Sequence, residues 1–268
     1  MQSKVVVITG GGTGIGKACA ATFLARGYRV VISGRRLDKL QEVITEFKGS
    51  SEHILAVQAD VSVEEDSKRI IEETIVKFGR IDVLINNAGI SMRALFDEMD
   101  LSVLKRLMDT NFWGAVYCTK YALPYLLEAK GSVVGISSIA GKKGLPGRTG
   151  YSASKFALEG FLETLRIENL KKDLHVLIVC PGFTASDIRI SSLSADGSAQ
   201  GESPREENKM MSAQTVAREI TEAVIKRKRD LVLTFNGRLT VLMNKFFPSL
   251  MDKLVYKHMA KEPGSPFK

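Results

Sequence analysis

Tyr151 and Lys155 stand four residues apart in Tyr151-Ser-Ala-Ser-Lys155. The stretch has helical periodicity, so a phenol and an ammonium leave one helical face and converge on one point. A free tyrosine ionises near pH ~10, too high for ready proton exchange at neutral pH, and a neighbouring cation favours the phenolate. At ~4 Å and an effective dielectric of ~20 the gross attraction is roughly 4 kcal/mol, about three pKa units as an upper limit. The pair therefore predicts a tyrosine of lowered pKa that serves as acid and base. On spacing alone, an ordinary pair on a helix surface competes with that chemistry.

The other chemistry-bearing residues follow in a fixed order. Lys4 to Thr9 is rich in β-branched residues and runs into Gly10-Gly-Gly-Thr-Gly-Ile-Gly16, after which the periodicity is helical. Strand, glycine turn and helix N-terminus together offer backbone N–H groups to a pyrophosphate, which approaches closely where Gly10, Gly14 and Gly16 lack side chains. Gly11 and Gly12 add flexibility. Tyr28 to Ser33 reads as the second strand, and its end selects the nucleotide. An acid there grips the 2′-hydroxyl of NAD, whereas an arginine accommodates the 2′-phosphate of NADP. Ser33-Gly-Arg35-Arg36 has no acid and two guanidinium groups, which predicts NADP(H) over NAD(H). Arginines that simply face water are the competing reading, and Lys17 either adds to the phosphate site or is solvated.

Further along come Asp60-Val61, Asn86-Asn-Ala-Gly89, Asn111, Ile136-Ser-Ser138 thirteen residues before Tyr151, and Pro181-Gly182. This ordered set, over roughly residues 4 to 235, resembles the short-chain dehydrogenase/reductase family, with its TGxxxGIG, NNAG, serine and YxxxK motifs. The resemblance implies hydride transfer between a nicotinamide nucleotide and a carbonyl or secondary alcohol, with Asn111, Ser138, Tyr151 and Lys155 as the catalytic set. It places Gly10, Gly12, Thr13, Gly14, Ile15 and Gly16 at the pyrophosphate, Arg35 and Arg36 at the 2′-phosphate, and Asp60 and Val61 at the adenine. Asn86, Ala88 and Gly89 would line the cleft while Asn87 holds neighbouring strands, and Pro181, Gly182 and Thr184 would meet the nicotinamide; Ser186 stands where many members have threonine. Tyr151 and Lys155 also belong to the nucleotide site, Lys155 by binding the nicotinamide ribose. Asn111 would bend its helix and hold a water beside the lysine. Several alternatives stay open: Asp60 as cap of the next helix, Asn111 as a simple cap, and Ser137 in place of Ser138.

These residues need a scaffold that brings strand ends together. About seven apolar runs alternate with helical stretches, which predicts an α/β fold, a Rossmann-type doubly wound parallel sheet with helices on both faces. At 268 residues, 44% apolar and 25% charged, the chain suits a single domain over residues 1–268. Residues 187–211 read as a substrate lid or flexible loop. Residues 238–261 read as an amphipathic helical extension kinked at Pro248, where bacterial members carry a VDGG-like tail. That extension resembles the 11-beta-hydroxysteroid-dehydrogenase-like and dehydrogenase/reductase member 7-like branch.

The formal charge of +8 is concentrated from Lys226 onward, where ten cationic residues face three acids. No basic patch interleaved with aromatics occurs elsewhere, which argues against nucleic acid as a partner. The basic extension instead packs over the pocket, meets a second subunit, touches an anionic membrane surface or stays unstructured. Cys19, Cys118 and Cys180 have neither disulfide nor metal spacing, so no metal is expected. With no run of 18 apolar residues, the expectation is a cytoplasmic protein, at most peripheral to a membrane, that forms a homodimer or homotetramer. His175 is expected to be solvated or capped, and Trp113 to lie in the core or a subunit interface. A membrane-surface lipid or sterol reductase and a non-catalytic NADP sensor are the alternative functions.

Overall fold

The computed structural model describes residues 3–47, 52–184, 188–202 and 210–267. β1 (Val5–Thr9), β2 (Arg29–Gly34), β3 (Ile54–Gln58), β4 (Val83–Asn86), β5 (Ser132–Ile136), β6 (His175–Cys180) and β7 (Asp230–Val232) form one sheet of order β3-β2-β1-β4-β5-β6-β7. Every paired neighbour is parallel. Both faces are covered, and the two-residue period shows how. In β1, Val6 and Ile8 pack towards α1 (Gly14–Leu24), α2 (Leu37–Glu46) and α7 (Ala213–Ile225), while Val5 and Val7 pack towards α3 (Glu64–Phe78), α5 (Gly114–Glu128) and α6 (Thr149–Glu168). A strand buried on both sides must be apolar throughout, as VVVIT nearly is.

The chain leaves β1 for β2 on one side and reaches β4 on the other, so the carboxyl ends of β1 and β4 open a crevice at the reversal of strand order. Several elements depart from their sequence reading. α4 (Leu101–Met108) starts where the Asp100 side chain accepts the Ser102 N–H. A π turn, Asp109–Trp113, then joins α4 to α5, consistent with the bend expected at Asn111. The C-terminal extension is not one kinked helix. α8 (Phe235–Phe246) ends before Pro248, which opens α9 (Pro248–Ala260) in the first turn, where a missing N–H costs nothing.

His175 is buried rather than solvated, between Ser132 Oγ at 2.9 Å and the Lys228 carbonyl at 2.8 Å. Trp113 is 43% exposed and stacks on Tyr117, so it is not core. The three cysteines are free and buried. Among the described residues no helix is long and apolar enough to cross a membrane, and no cluster of His, Cys, Asp or Glu could hold a metal ion.

Candidate active site

The turn after β1 is built to bring main chain close to main chain. Gly10 has φ +65°, a region costly for other residues, and a Cβ on Gly16 would lie 2.2 Å from the Gly10 carbonyl oxygen. Asn87 Nδ2 donates to the carbonyls of Thr9 at 2.8 Å and Gly10 at 3.1 Å, pinning the turn to the end of β4. Thr9 Oγ1 accepts from the N–H groups of Asn87 and Ala88, each at 3.0 Å. The rest of the turn faces an open cleft of about 570 Å³ that reaches from Gly10, Gly12, Thr13, Gly14 and Ile15 to Tyr151.

Arg35, Arg36, Asp60, Val61, Ala88, Gly89, Ser138, Lys155, Pro181, Gly182 and Thr184 also line this cleft. Two expected wall residues do not. Gly16 packs behind the turn, and Asn86 is buried with its Nδ2 donating to Thr119 Oγ1 at 2.9 Å. Asn87, expected only to hold strands, does so and lines the cleft as well. Asp60 does not cap α3, whose first turn begins after Val63; its Oδ1 accepts from Ser62 N at 3.0 Å and Ser62 Oγ at 2.7 Å. Lys17 does not join the phosphate end, being paired with Glu46 at 2.6 Å. Lys39 was missed, although it stands three residues after Arg36 and so on the same side of the opening of α2.

At the other end of the cleft, α6 presents Tyr151 and Lys155 as their spacing requires. Lys155 is 4% exposed, its Nζ lies 5.8 Å from the centre of the Tyr151 ring, and it donates to the Ile136 carbonyl at 2.8 Å. Ser138 follows β5 and lies close enough to Tyr151 to pull its pKa downward, while Ser137 Oγ donates to Glu159 Oε1 at 2.5 Å. Both serines line the cleft, but the Ser137 hydroxyl is committed to a buried carboxylate. The Asn111 amide is committed: Oδ1 accepts from Ile90 N at 2.8 Å, and Nδ2 donates to the Ile90 carbonyl and Ser154 Oγ, each at 2.9 Å. The side chain therefore ties the π turn to the β4 edge and α6.

The charge state differs from the expected one. Burial raises the Tyr151 pKa above its usual value, and the opposing effects of the Ser138 hydrogen bond, Arg148 and Arg189 do not reverse it. Burial also pulls Lys155 down to about 8. Desolvation thus outweighs the attraction that spacing alone suggested. The folded pKa of Lys155 lies below the unfolded value, so between about pH 8 and ~10.4 the unfolded chain binds more protons and stability rises with pH. Below that window the buried ammonium carries its full cost, on the order of 3 kcal/mol. Lys155→Met is expected to be more stable than the parent below pH 8, by a margin that shrinks as pH approaches 10. Thermal melts of both proteins across pH 6.5–10 check this; a constant margin would show that burial of the charge is not the cause.

The described residues of segment 187–211 border the Tyr151 end of the cleft. Leu193 is buried and pairs with the main chain of Ser91 at 2.9 Å and Arg93 at 2.8 Å, and Ile188 and Leu193 line the cleft. Ser186 and residues 203–209 lie outside the described residues. The end of the chain also reaches the site: Arg93 Nη2 donates to the Pro263 carbonyl at 2.5 Å, and Arg148, which lines the cleft, pairs with buried Glu262 at 3.3 Å. Arg148 stands one turn before Tyr151, a spacing that could have flagged it.

With this geometry in view, the family model for short chain dehydrogenases matches residues 4–196. The dehydrogenase/reductase SDR family member 7B of Mus musculus is 35% identical over 271 residues, spanning 99% of this chain and 84% of that protein. The 11-beta-hydroxysteroid dehydrogenase A of Sesamum indicum is 34% identical over 275 residues, spanning 100% of this chain and 79% of its own. The solved structure of ElxO with NADP bound is 31% identical with a TM-score of 0.74, over 86% of this chain and 97% of that one. Another solved neighbour of the fold is a complex with NAD.

Proposed function

We propose, from the premise that this chain belongs to the short chain dehydrogenase family, that it reduces the carbonyl of a hydrophobic substrate with NADPH. At the coarser level it is an NAD(P)-dependent oxidoreductase of the 11-beta-hydroxysteroid-dehydrogenase-like and member 7-like branch. The observation that carries the proposal is one continuous cleft with a glycine turn, Arg35 and Arg36 at one end and Ser138, Tyr151 and Lys155 at the other.

The cleft fits a dinucleotide. Side chains are excluded where a pyrophosphate would lie, and the end of β2 carries cations where a 2′-phosphate would lie. When bound, the nucleotide supplies the hydride. Ser138 and Tyr151 then hydrogen-bond the substrate oxygen, and Tyr151, held protonated by burial, delivers its proton to that oxygen as negative charge develops there. The Lys155 ammonium binds the nicotinamide ribose and stabilises the phenolate left behind. Asn111 fixes the bend that sets α6 against the end of β4.

Ile90, Leu145, Phe183, Ile188 and Leu193 give the substrate end its apolar walls. The membrane-surface alternative draws on α8 and α9, where Phe246, Phe247, Leu250 and Leu254 are exposed among lysines. A homo-oligomer draws on the exposed aromatics Trp113 and Phe156. A panel of ketones, acyl thioesters, steroids and long-chain 3-keto compounds, followed by NADPH absorbance with and without anionic vesicles, tests the function. NADPH consumption with an apolar ketone is expected. Stimulation that requires vesicles favours the membrane-surface alternative, and tight NADPH binding without turnover favours the sensor.

A further inference from the structure

Below Lys155 in α6, one turn further from the cleft, Glu159 is only 6% exposed. Its carboxylate is held on three sides. Oε1 accepts from Ser137 Oγ at 2.5 Å, at the end of β5, and from Cys180 Sγ at 3.4 Å, at the end of β6. Oε2 pairs with Lys142 Nζ at 2.6 Å, in the loop that leads from β5 to α6. Lys155 grips the Ile136 carbonyl, so consecutive turns of α6 hold consecutive residues immediately before Ser138. Gly141 leaves room for this arrangement, since a Cβ there would lie 2.5 Å from both Glu159 Oε1 and Ser137 Oγ.

We infer that Glu159 is a positioning residue for the reaction: it fixes the strand end that carries Ser138 and supplies the buried anion that keeps Lys155 an ammonium. The inference rests on the proposed roles of Ser138, Tyr151 and Lys155. Its physical basis is that a buried lysine loses hydration and needs a nearby negative charge to stay protonated. On its own helix Lys155 has Tyr151 on one side and Glu159 on the other, with Cys180 from β6 as the further titratable group and the Asn111 amide from the π turn. Cys180 and then Glu159 oppose the effect of burial on Lys155; with the thiol protonated, the carboxylate is the group of the two that carries a charge. Lys142, which pairs with Glu159, is itself 24% exposed on its side chain, so solvent screens it and the carboxylate retains influence on its buried side. The Cys180 thiol is driven well above its usual range, by burial first and by Glu159 next, and stays protonated as a donor.

Glu159→Gln keeps an acceptor for Ser137 and removes the charge. The decisive measurement needs neither substrate nor nucleotide: the titration midpoint of Lys155, read from the Cε resonance of 13C-lysine-labelled protein and assigned with Lys155→Arg. In Glu159→Gln the midpoint is expected to fall by roughly one pH unit. The double variant Lys142→Met/Glu159→Gln removes the pair without stranding a cation and provides the folded comparison if the single variant is unstable; its midpoint is also expected to lie below that of the parent. A midpoint unchanged in either folded variant overturns the inference. NADPH turnover supplies the second readout, with the alkaline fall of kcat/KM moving to lower pH in the variants. An equal loss at every pH would assign Glu159 a packing role only. Because the titration is read without nucleotide, its failure is distinguishable from failure of the proposed reaction.

Discussion

Tyr151→Phe is expected to lower kcat/KM for carbonyl reduction by about 10²–10⁴-fold while leaving NADPH affinity within a few-fold of the parent. The phenylalanine ring retains the packing of Tyr151 against the cluster of Met92, Val103, Leu107 and Leu193, so the change removes one hydroxyl and little else. That hydroxyl is the group at the end of the cleft that can both hydrogen-bond a carbonyl oxygen and yield a proton to it. Ser138 keeps the Ala140 N–H that its Oγ accepts at 3.2 Å, so the serine stays in place when the phenol is removed. The separation of turnover from binding identifies proton donation. A damaged cleft would weaken NADPH binding and hydride transfer together, whereas a missing acid slows transfer alone. Single-turnover absorbance of NADPH and fluorescence titration of its binding measure the two. Transfer within threefold of the parent would remove Tyr151 from the mechanism.

The strands were legible because a sheet covered on both faces needs apolar residues without interruption, as at β1, and the glycine turn because Gly10, Gly11 and Gly16 stand where a side chain would meet its neighbours within 3 Å. Legibility failed where the outcome depends on competition between distant groups. The Tyr151–Lys155 spacing was read correctly as convergence, but its electrostatic consequence was not, because the sequence gives the attraction between neighbours and conceals the desolvation imposed by the whole fold. Asn86 and Asn87 show the same limit at finer scale: Asn86 ends β4 and turns to Thr119, whereas Asn87 lies just past the strand and turns to Thr9 and Gly10, partners far away in sequence. Of the two readings open for Asp60, the helix cap is not made, because the side chain accepts from the nearer Ser62. The strap formed by Glu262 with Arg148 had no local signal, since its partners are 114 residues apart. Glu159 was likewise hidden, since nothing in the sequence places Ser137, Cys180 and Lys142 around one carboxylate.

Nucleotide choice is the second large effect. Arg35→Ala/Arg36→Ala is expected to reduce kcat/KM with NADPH by about 10²-fold and to change kcat/KM with NADH less than about threefold. A charge-assisted hydrogen bond from a guanidinium is worth roughly 1.5–3 kcal/mol, but the Arg35 side chain is 62% exposed, so solvent and salt reduce each contribution and the pair together supplies what one buried arginine would. Asp60 lies 4.0 Å from Arg35 Nη1, too long for a strong ion pair, so the guanidinium is oriented towards the cleft without being neutralised by a tight contact. Lys39, paired with Glu42 at 2.7 Å, must leave that partner to reach a phosphate and is therefore expected to contribute less than either arginine. The preference for NADPH should also weaken with rising ionic strength in the parent and hardly at all in the double variant, because the screened charges are then gone. Steady-state kinetics with both nucleotides at low and high salt measure this. A parent that prefers NADH, or a double variant that loses both nucleotides equally, would mean that the arginines at the end of β2 face water and that selection lies elsewhere in the cleft.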